Sequence, residues 1–273
     1  MHQSSHSSSS LSLAYRRRFA GIARLYGDAA LNALFRAHFC VIGLGGVGTW
    51  TAEALVRSGV GALTLIDLDE VCISNTNRQL HALDNLIGQS KVNVLCDRLL
   101  HINPELRLTP IEDFISLDNI PTYIGPEHDV VIDAIDMAHT KSGLIAYCLA
   151  RKIRVVTVGS AGGKRDPSQV THGDLARTER DPLLAKVRHD LFRTYRFARD
   201  RHRRFRVDAI FSPESVLYPQ ADGSVCPQKR AVDTGVKLDC EGGFGACTMV
   251  TGSFGFLAAS RAIHRFLAKH SLV

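Results

Sequence analysis

The stretch Cys40-Val41-Ile42-Gly43-Leu44-Gly45-Gly46-Val47-Gly48-Thr49-Trp50 limits what this chain can fold into. An apolar run over residues 39–42 feeds a turn containing Gly43, Gly45, Gly46 and Gly48, and helix-forming sequence begins behind it. Glycines permit positive φ and let a backbone approach a ligand closely. The amides of such a turn, with the positive end of the following helix, suit a phosphate group. Two ligand classes fit equally: a dinucleotide such as NAD or FAD, and a mononucleotide such as ATP. Glycine spacing alone does not separate them. The plainer alternative is an ordinary tight strand-to-helix turn.

The chain has 273 residues, enough for one large domain or two small ones with a full core. Helical and strand patterns alternate along it, which predicts an α/β fold: a doubly wound, mostly parallel sheet with an α/β C-terminal extension. Its seven cysteines are scattered without a Cys-x-x-Cys pair, which argues against a disulfide framework and against a zinc ribbon. A reducing, cytoplasmic setting fits that pattern best. The twelve histidines show no pair at metal-ligand spacing.

Residues 1–15 are Ser/His-rich and read as a disordered leader, with no apolar core of a secretory signal. Apolar residues then recur at helical spacing through Ile22, Leu25, Leu31 and Leu34, so a helix or helix pair precedes the first strand. Behind the glycine turn, residues 49–58 read as a helix and residues 62–66 as a second strand ending in Asp67. An acid about twenty residues past the glycines is placed to hold ribose hydroxyls.

The next block separates the two nucleotide classes. Asp67 is followed by Asp69, then Asn75-Thr76-Asn77-Arg78-Gln79, then Lys91. A dinucleotide site has no need of this succession, whereas a triphosphate does: Arg and Lys neutralise phosphate oxygens, while Asn and Asp fix the nucleotide or its metal. Turn-forming asparagines and a solvated arginine are the competing reading. Residues 86–102 are expected to form the helix carrying Lys91, and residues 106–111 a third strand. Residues 130–133 form a fourth, ending in Asp133-Ala134-Ile135-Asp136; ligands of open α/β sheets bind at such carboxyl ends, which places Asp136 to hold Mg²⁺ beside phosphates. A helix over residues 141–151 and a fifth strand over 155–158 follow.

Beyond Gly163 the texture changes. An amphipathic helix starts at Asp181-Pro182, and residues 186–206 carry nine Lys or Arg against two Asp. This local excess is larger than the whole chain's +6. Arg193, Arg196, Arg199, Arg203 and Arg204, with Phe192, Tyr195, Phe197 and Phe205 interleaved, read as a contact surface for an RNA backbone; a solvated helix with inward aromatics is the alternative. Residues 210–217 are expected to be a strand. Cys240, in glycine-rich surroundings, is a candidate reactive thiol, against the ordinary reading of a small buried hydrophobe. Residues 242–260 carry no charge. Their length allows membrane association, but their glycines and helical spacing favour a helix packed on the domain.

These pieces together resemble one family. Arg24-Leu25-Tyr26-Gly27, Gly45-Gly46-Val47-Gly48-Thr49-Trp50, Asn75-Thr76-Asn77-Arg78-Gln79 and Asp133-Ala134-Ile135-Asp136 are similar to the ThiF/MoeB group of ubiquitin-activating-like adenylyltransferases, with a Rossmann-like fold. Ala161-Gly162-Gly163, Asp181-Pro182-Leu183, Tyr218-Pro219 and Asp239-Cys240 carry the likeness into its tRNA threonylcarbamoyladenosine dehydratase branch.

The resemblance implies a nucleotide domain over residues 16–163 and, in the same fold unit, a substrate- and tRNA-binding portion over 164–273. It implies ATP-dependent cyclisation of threonylcarbamoyladenosine in tRNA, with Mg²⁺, by adenylation of the threonine carboxylate and closure of an oxazolone ring. Gly43, Gly45, Gly46, Gly48, Asp67, Asp69, Asn75, Arg78 and Lys91 would bind ATP; Arg78, Lys91 and Asp136 would act in catalysis. It further implies a homodimer, with Arg18 or Arg24 as the candidate to reach a partner's ATP site. A monovalent cation and a sulfur-relay partner using Cys240 belong to the same expectation. The alternative within the superfamily is an adenylyltransferase acting on a small sulfur-carrier protein. The absent Cys-x-x-Cys pairs, which leave no zinc expected, and the basic segment speak against it.

Overall fold

The computed structural model describes residues 11–200, 202–220, 222–227 and 244–273. Three short helices, α1 (Leu13–Arg18), α2 (Ala20–Tyr26) and α3 (Asp28–Arg36), lead into β1 (His38–Ile42). The packed chain therefore starts earlier than the expected end of the leader at residue 15: Leu11 and Tyr15 are buried, and the Tyr15 hydroxyl donates to the Gly59 carbonyl.

After the glycine turn come α4 (Gly48–Arg57), β2 (Ala62–Ile66), α5 (Lys91–Ile102), β3 (Arg107–Ile111), α6 (Ile120–Tyr123), β4 (Val130–Asp133), α7 (Ala138–Ala150) and β5 (Arg154–Val158). Then follow β6 (Thr171–Asp174), α8 (Pro182–Thr194), β7 (Asp208–Phe211), the short pair β8 (Tyr218–Pro219) and β9 (Val225–Cys226), and α9 (Thr248–Lys269). The main sheet runs β3-β2-β1-β4-β5-β7-β6, parallel throughout except for β6 at one edge. The C-terminal part belongs to the same fold unit: β7 sits beside β5 in the same sheet.

The inner strands read as nearly unbroken apolar runs because both faces are covered. Phe39, Val41, Leu63, Leu65, Val130 and Ile132 face a layer made by α3, α4, α5 and α9. Cys40, Ile42, Ile66, Val131 and Val155 face α6, α7 and α8. Chain order reverses between β1 and β4, so a crevice opens at their carboxyl ends.

Two expected elements shift, each for a local reason. The helix expected over residues 86–102 begins at Lys91: Gly88 takes φ +81°, and the Ser90 side chain caps the new helix. The strand expected over 210–217 ends at Phe211, since the carbonyls of Ser212 and Glu214 turn inward onto the Lys164 ammonium. The uncharged stretch follows its favoured reading as a packed helix, not the membrane alternative: its described part lies largely in α9, whose Val250, Phe254, Ala258 and Ala262 are fully buried. Among the described residues no helix is long and apolar enough to cross a membrane.

Candidate functional site

The turn after β1 is shaped by its glycines. Gly43 adopts φ +84°, a conformation open to glycine, and its amide donates to the Ile66 carbonyl (2.9 Å). No side chain caps the first amides of α4, so the helix N-terminus offers its donors and its positive end outward. A Cβ built on Gly45 meets nothing within 4 Å, so this face of the turn is open to a ligand. These features fit a phosphate group.

Asp67 closes the turn from below. Its carboxylate accepts the Leu44 amide (2.5 Å) and the Asp69 amide (2.9 Å). Burial raises its pKa, and the Lys91 ammonium and the two amides pull it back. Lys91, the buried first residue of α5, reaches the exposed Asp69 carboxylate at 2.7 Å. Asp67, Asp69 and Lys91 therefore meet at the ends of β1 and β2.

The Asn75–Arg78 block lies over the same edge. The buried Asn75 side chain accepts the Cys72 amide (3.1 Å). The Arg78 guanidinium donates to the Ser74 carbonyl (2.7 Å) and to Asn77 Oδ1 (2.9 Å), while its own carbonyl accepts from Trp50 Nε1 (3.1 Å). Asn77 ties the block to the start of α9 through the Ala246 carbonyl (2.8 Å) and the Thr248 hydroxyl (2.6 Å). Gly46 backs onto both Arg78 and Thr251: a Cβ there would stand 3.2 Å from Arg78 Cγ. Asp136 is exposed on the turn after β4, next to the same crevice. Among the described residues no group of three His, Cys, Asp or Glu could hold a metal; a divalent ion here would complete its shell with phosphate oxygens and water.

Beneath that turn lies a network the sequence reading passed over. Asp133 and Lys141, both fully buried, form an ion pair at 2.8 Å; Lys141 also donates to the Asp133 carbonyl (3.1 Å), and Thr157 Oγ1 to the Asp133 carboxylate (2.7 Å). Burial raises the pKa of Asp133 and lowers that of Lys141, and each partner opposes the shift of the other. Nearby, the buried Asp181 caps α8 and accepts the Ser160 amide (2.9 Å). The clue was a lysine just before the apolar run of α7, eight residues after an acid ending a buried strand.

His81 was also missed. It is 1% exposed, and neither ring nitrogen has a hydrogen-bond partner. Burial, with Lys91 adding, lowers its pKa to about 4. An unfolded histidine titrates near ~6.5, so between the two values the unfolded chain binds the extra proton and stability falls as pH drops. A His81→Leu variant is expected to lose up to ~3 kcal/mol less stability than the parent between pH 7 and pH 4. Urea midpoints at the two pH values check this; an identical pH loss in both proteins would clear His81. His38, His128 and His172, also lowered by burial, add acid sensitivity common to both proteins.

The basic segment divides. Arg193, Arg196, Arg199, Arg203, Arg204 and Arg206 are exposed, whereas Arg188 is buried and donates to the Thr178 hydroxyl. The interleaved aromatics face inward: Phe197 and Phe192 pack edge-on against buried Phe205 (5.0 and 5.8 Å between centroids). The arginines form an outward basic surface without an aromatic one. Arg18 donates to the Ile102 carbonyl (2.8 Å), at the end of α5 remote from Lys91; Arg24 is exposed. Arg201 and Cys240 lie outside the described residues.

The chain is similar to several known proteins. The chain is 49% identical over 259 residues to the tRNA threonylcarbamoyladenosine dehydratase of Escherichia coli, covering 95% of this chain and 97% of that protein. It is 48% identical to the Haemophilus influenzae protein of the same name, covering 94% and 96%. The crystal structure of the E. coli dehydratase in complex with ATP superposes with a TM-score of 0.85 at 45% identity, covering 96% of this chain and 98% of that one. The model of the ThiF family matches residues 15–271. A match of that extent, on a sheet whose carboxyl edge gathers the glycine turn, Asp67, Arg78 and Lys91, places this chain in the ThiF family.

Proposed function

We propose that the protein catalyses the ATP-dependent dehydration of threonylcarbamoyladenosine in tRNA. The observation that carries the reading is the meeting of the glycine turn, Asp67, Asn75–Arg78 and Lys91 at the carboxyl edge of β1 and β2, in a chain alike from end to end with dehydratases of that name. The amides of residues 43–48 bind phosphate, and Asp67 holds the ribose. The threonine carboxylate of the modified base attacks the α-phosphate of ATP, giving an acyl-adenylate and pyrophosphate. The carbamoyl oxygen then closes on the activated carbonyl, AMP leaves, and an oxazolone ring remains with the loss of one water.

Negative charge grows on the phosphate oxygens during the first step. Arg78 and Lys91 are the cations that stabilise it, already held in place by Ser74, Asn77 and Asp69. Asp136 and Asp69 are the exposed carboxylates at hand for Mg²⁺, which supplies further charge neutralisation when bound. The exposed arginines of residues 193–206 bind the RNA backbone, so affinity for tRNA weakens with rising salt. Activation of a sulfur-carrier protein is not favoured, because the end-to-end likeness runs to the dehydratases.

The test is mass spectrometry of nucleosides after incubation with ATP, Mg²⁺ and tRNA bearing threonylcarbamoyladenosine, using digestion mild enough to spare the ring. ATP-dependent loss of one water from that nucleoside is expected. ATP cleaved to AMP only when a sulfur-carrier protein is added would replace this reading with the alternative. Arg78→Gln, which removes the charge and keeps the stem, is expected to lower kcat by about 10²–10³-fold; normal turnover would remove Arg78 from this role.

A further inference from the structure

The carboxyl edge of the sheet carries an aromatic pair that the ATP chemistry leaves unused. Gly163, in the loop after β5, is gripped from two sides: its carbonyl accepts the Leu217 amide (2.8 Å) and its amide donates to the Gly245 carbonyl (2.7 Å). That double contact brings Tyr218 and Phe244 together, with ring centroids 5.4 Å apart and planes at 61°. Phe244 rests on Gly162, where a Cβ would stand 3.0 Å from Phe244 Cβ. Two residues beyond Phe244, the Ala246 carbonyl accepts from Asn77. The pair therefore bridges the loop at the end of β5 and the block carrying Arg78.

We propose that Tyr218 and Phe244 form the platform on which the adenine base of the RNA substrate stacks. This rests on the dehydratase reading and names the group that would recognise its substrate. Aromatic rings that serve only to fill the core, such as Tyr15, Phe39 and Phe254, are fully buried here. Tyr218 and Phe244 keep part of their surface open, beside the crevice. In the substrate the reacting carboxylate hangs from the purine by a short covalent arm, so the base must rest close to the phosphates that the carboxylate attacks. Single-stranded RNA bases are ordinarily held by stacking on aromatic faces. Trp50 is already committed, packed on Gly252 and Gly255 of α9 with its indole N–H on the Arg78 carbonyl. The aromatics of residues 192–205 pack among themselves and onto the side of the sheet covered by α7 and α8, with no contact to the block carrying Arg78 among the described residues.

The experiment measures binding without turnover, by fluorescence anisotropy of a labelled anticodon stem-loop bearing threonylcarbamoyladenosine, and in parallel the Kd for ATP. Phe244→Leu keeps apolar bulk over Gly162, Tyr218→Leu keeps it beside Phe244, and each removes one ring face. Each is expected to weaken stem-loop binding about tenfold, the effect of losing one base-on-ring stack, and to leave the ATP Kd unchanged. Phe244→Tyr and Tyr218→Phe are expected to bind the stem-loop like the parent. Unchanged stem-loop binding in the leucine variants would overturn the platform. So would a joint loss of stem-loop and ATP binding with a lower melting temperature, which would make the pair a packing contact. Because binding is read apart from dehydration, a parent protein that binds the stem-loop but leaves its nucleoside intact would refute the proposed reaction without touching this result.

Discussion

Gly48→Ala is expected to abolish ATP-dependent activity, lowering kcat/KM for ATP by at least about 10²-fold. The added Cβ would stand 1.8 Å from the Gly43 carbonyl oxygen and 2.9 Å from its carbon, both backbone atoms that no rotamer change can move. Relief requires the turn and the first residues of α4 to separate. That displaces the amides that would face the phosphates, and loosens the Leu44 amide from Asp67. Gly45→Ala is the control. Its Cβ meets nothing within 4 Å, so the fold should be untouched and any loss of ATP affinity would report a ligand packed against that face. Calorimetric titration with a non-hydrolysable ATP analogue, alongside a thermal melt, reads both effects. Normal nucleotide binding by Gly48→Ala would mean that the turn is not where phosphate binds.

Lys141→Met should be the most destabilising single change at the buried network. It leaves the Asp133 carboxylate, 0% exposed, with the Thr157 hydroxyl and the Ile135 amide but without its cation. Removing one partner of a buried pair costs about 3–5 kcal/mol, which for a chain of this size lowers the melting temperature by roughly 10 °C. The pH dependence carries a sign that identifies the cause. With Lys141 gone, burial holds the folded-state pKa of Asp133 above its unfolded value, so the folded protein binds the extra proton between the two. Stability of the variant relative to the parent then improves as pH falls and worsens as pH rises through the folded value. Adding Asp133→Asn to Lys141→Met removes the uncompensated charge and should recover much of the loss. A melting temperature within a degree or two of the parent would show that the pair adds little. Since the Ile135 amide also bonds Asp133, the same variant should disturb the turn that carries Asp136.

Most residues of the candidate site could be named before the fold. Gly43–Gly48, Asp67, Asn75, Arg78 and Lys91 stand in local patterns, each close to a strand end or a turn, and local chemistry is what a sequence displays. Lys91 shows the boundary of that legibility. Its residue type and rough place were readable, whereas its position as the first residue of α5, which aims it at Asp69, depends on the positive φ of Gly88 and the Ser90 cap. The basic run around residues 193–206 was visible as charge, but only packing decided that its aromatics turn inward and that Arg188 is buried.

The sequence by itself determined the α/β class, the parallel inner strands and the candidates for phosphate binding, because apolar periodicity, glycine turns and charge act over a few neighbours. Tertiary structure alone decided what depends on distant segments meeting. That comprises the placing of β7 beside β5, the burial of Lys141 against Asp133, and the joining of Tyr218 to Phe244 across Gly163. In each case the energy of burying a group depends on a partner far along the chain, which no local pattern records.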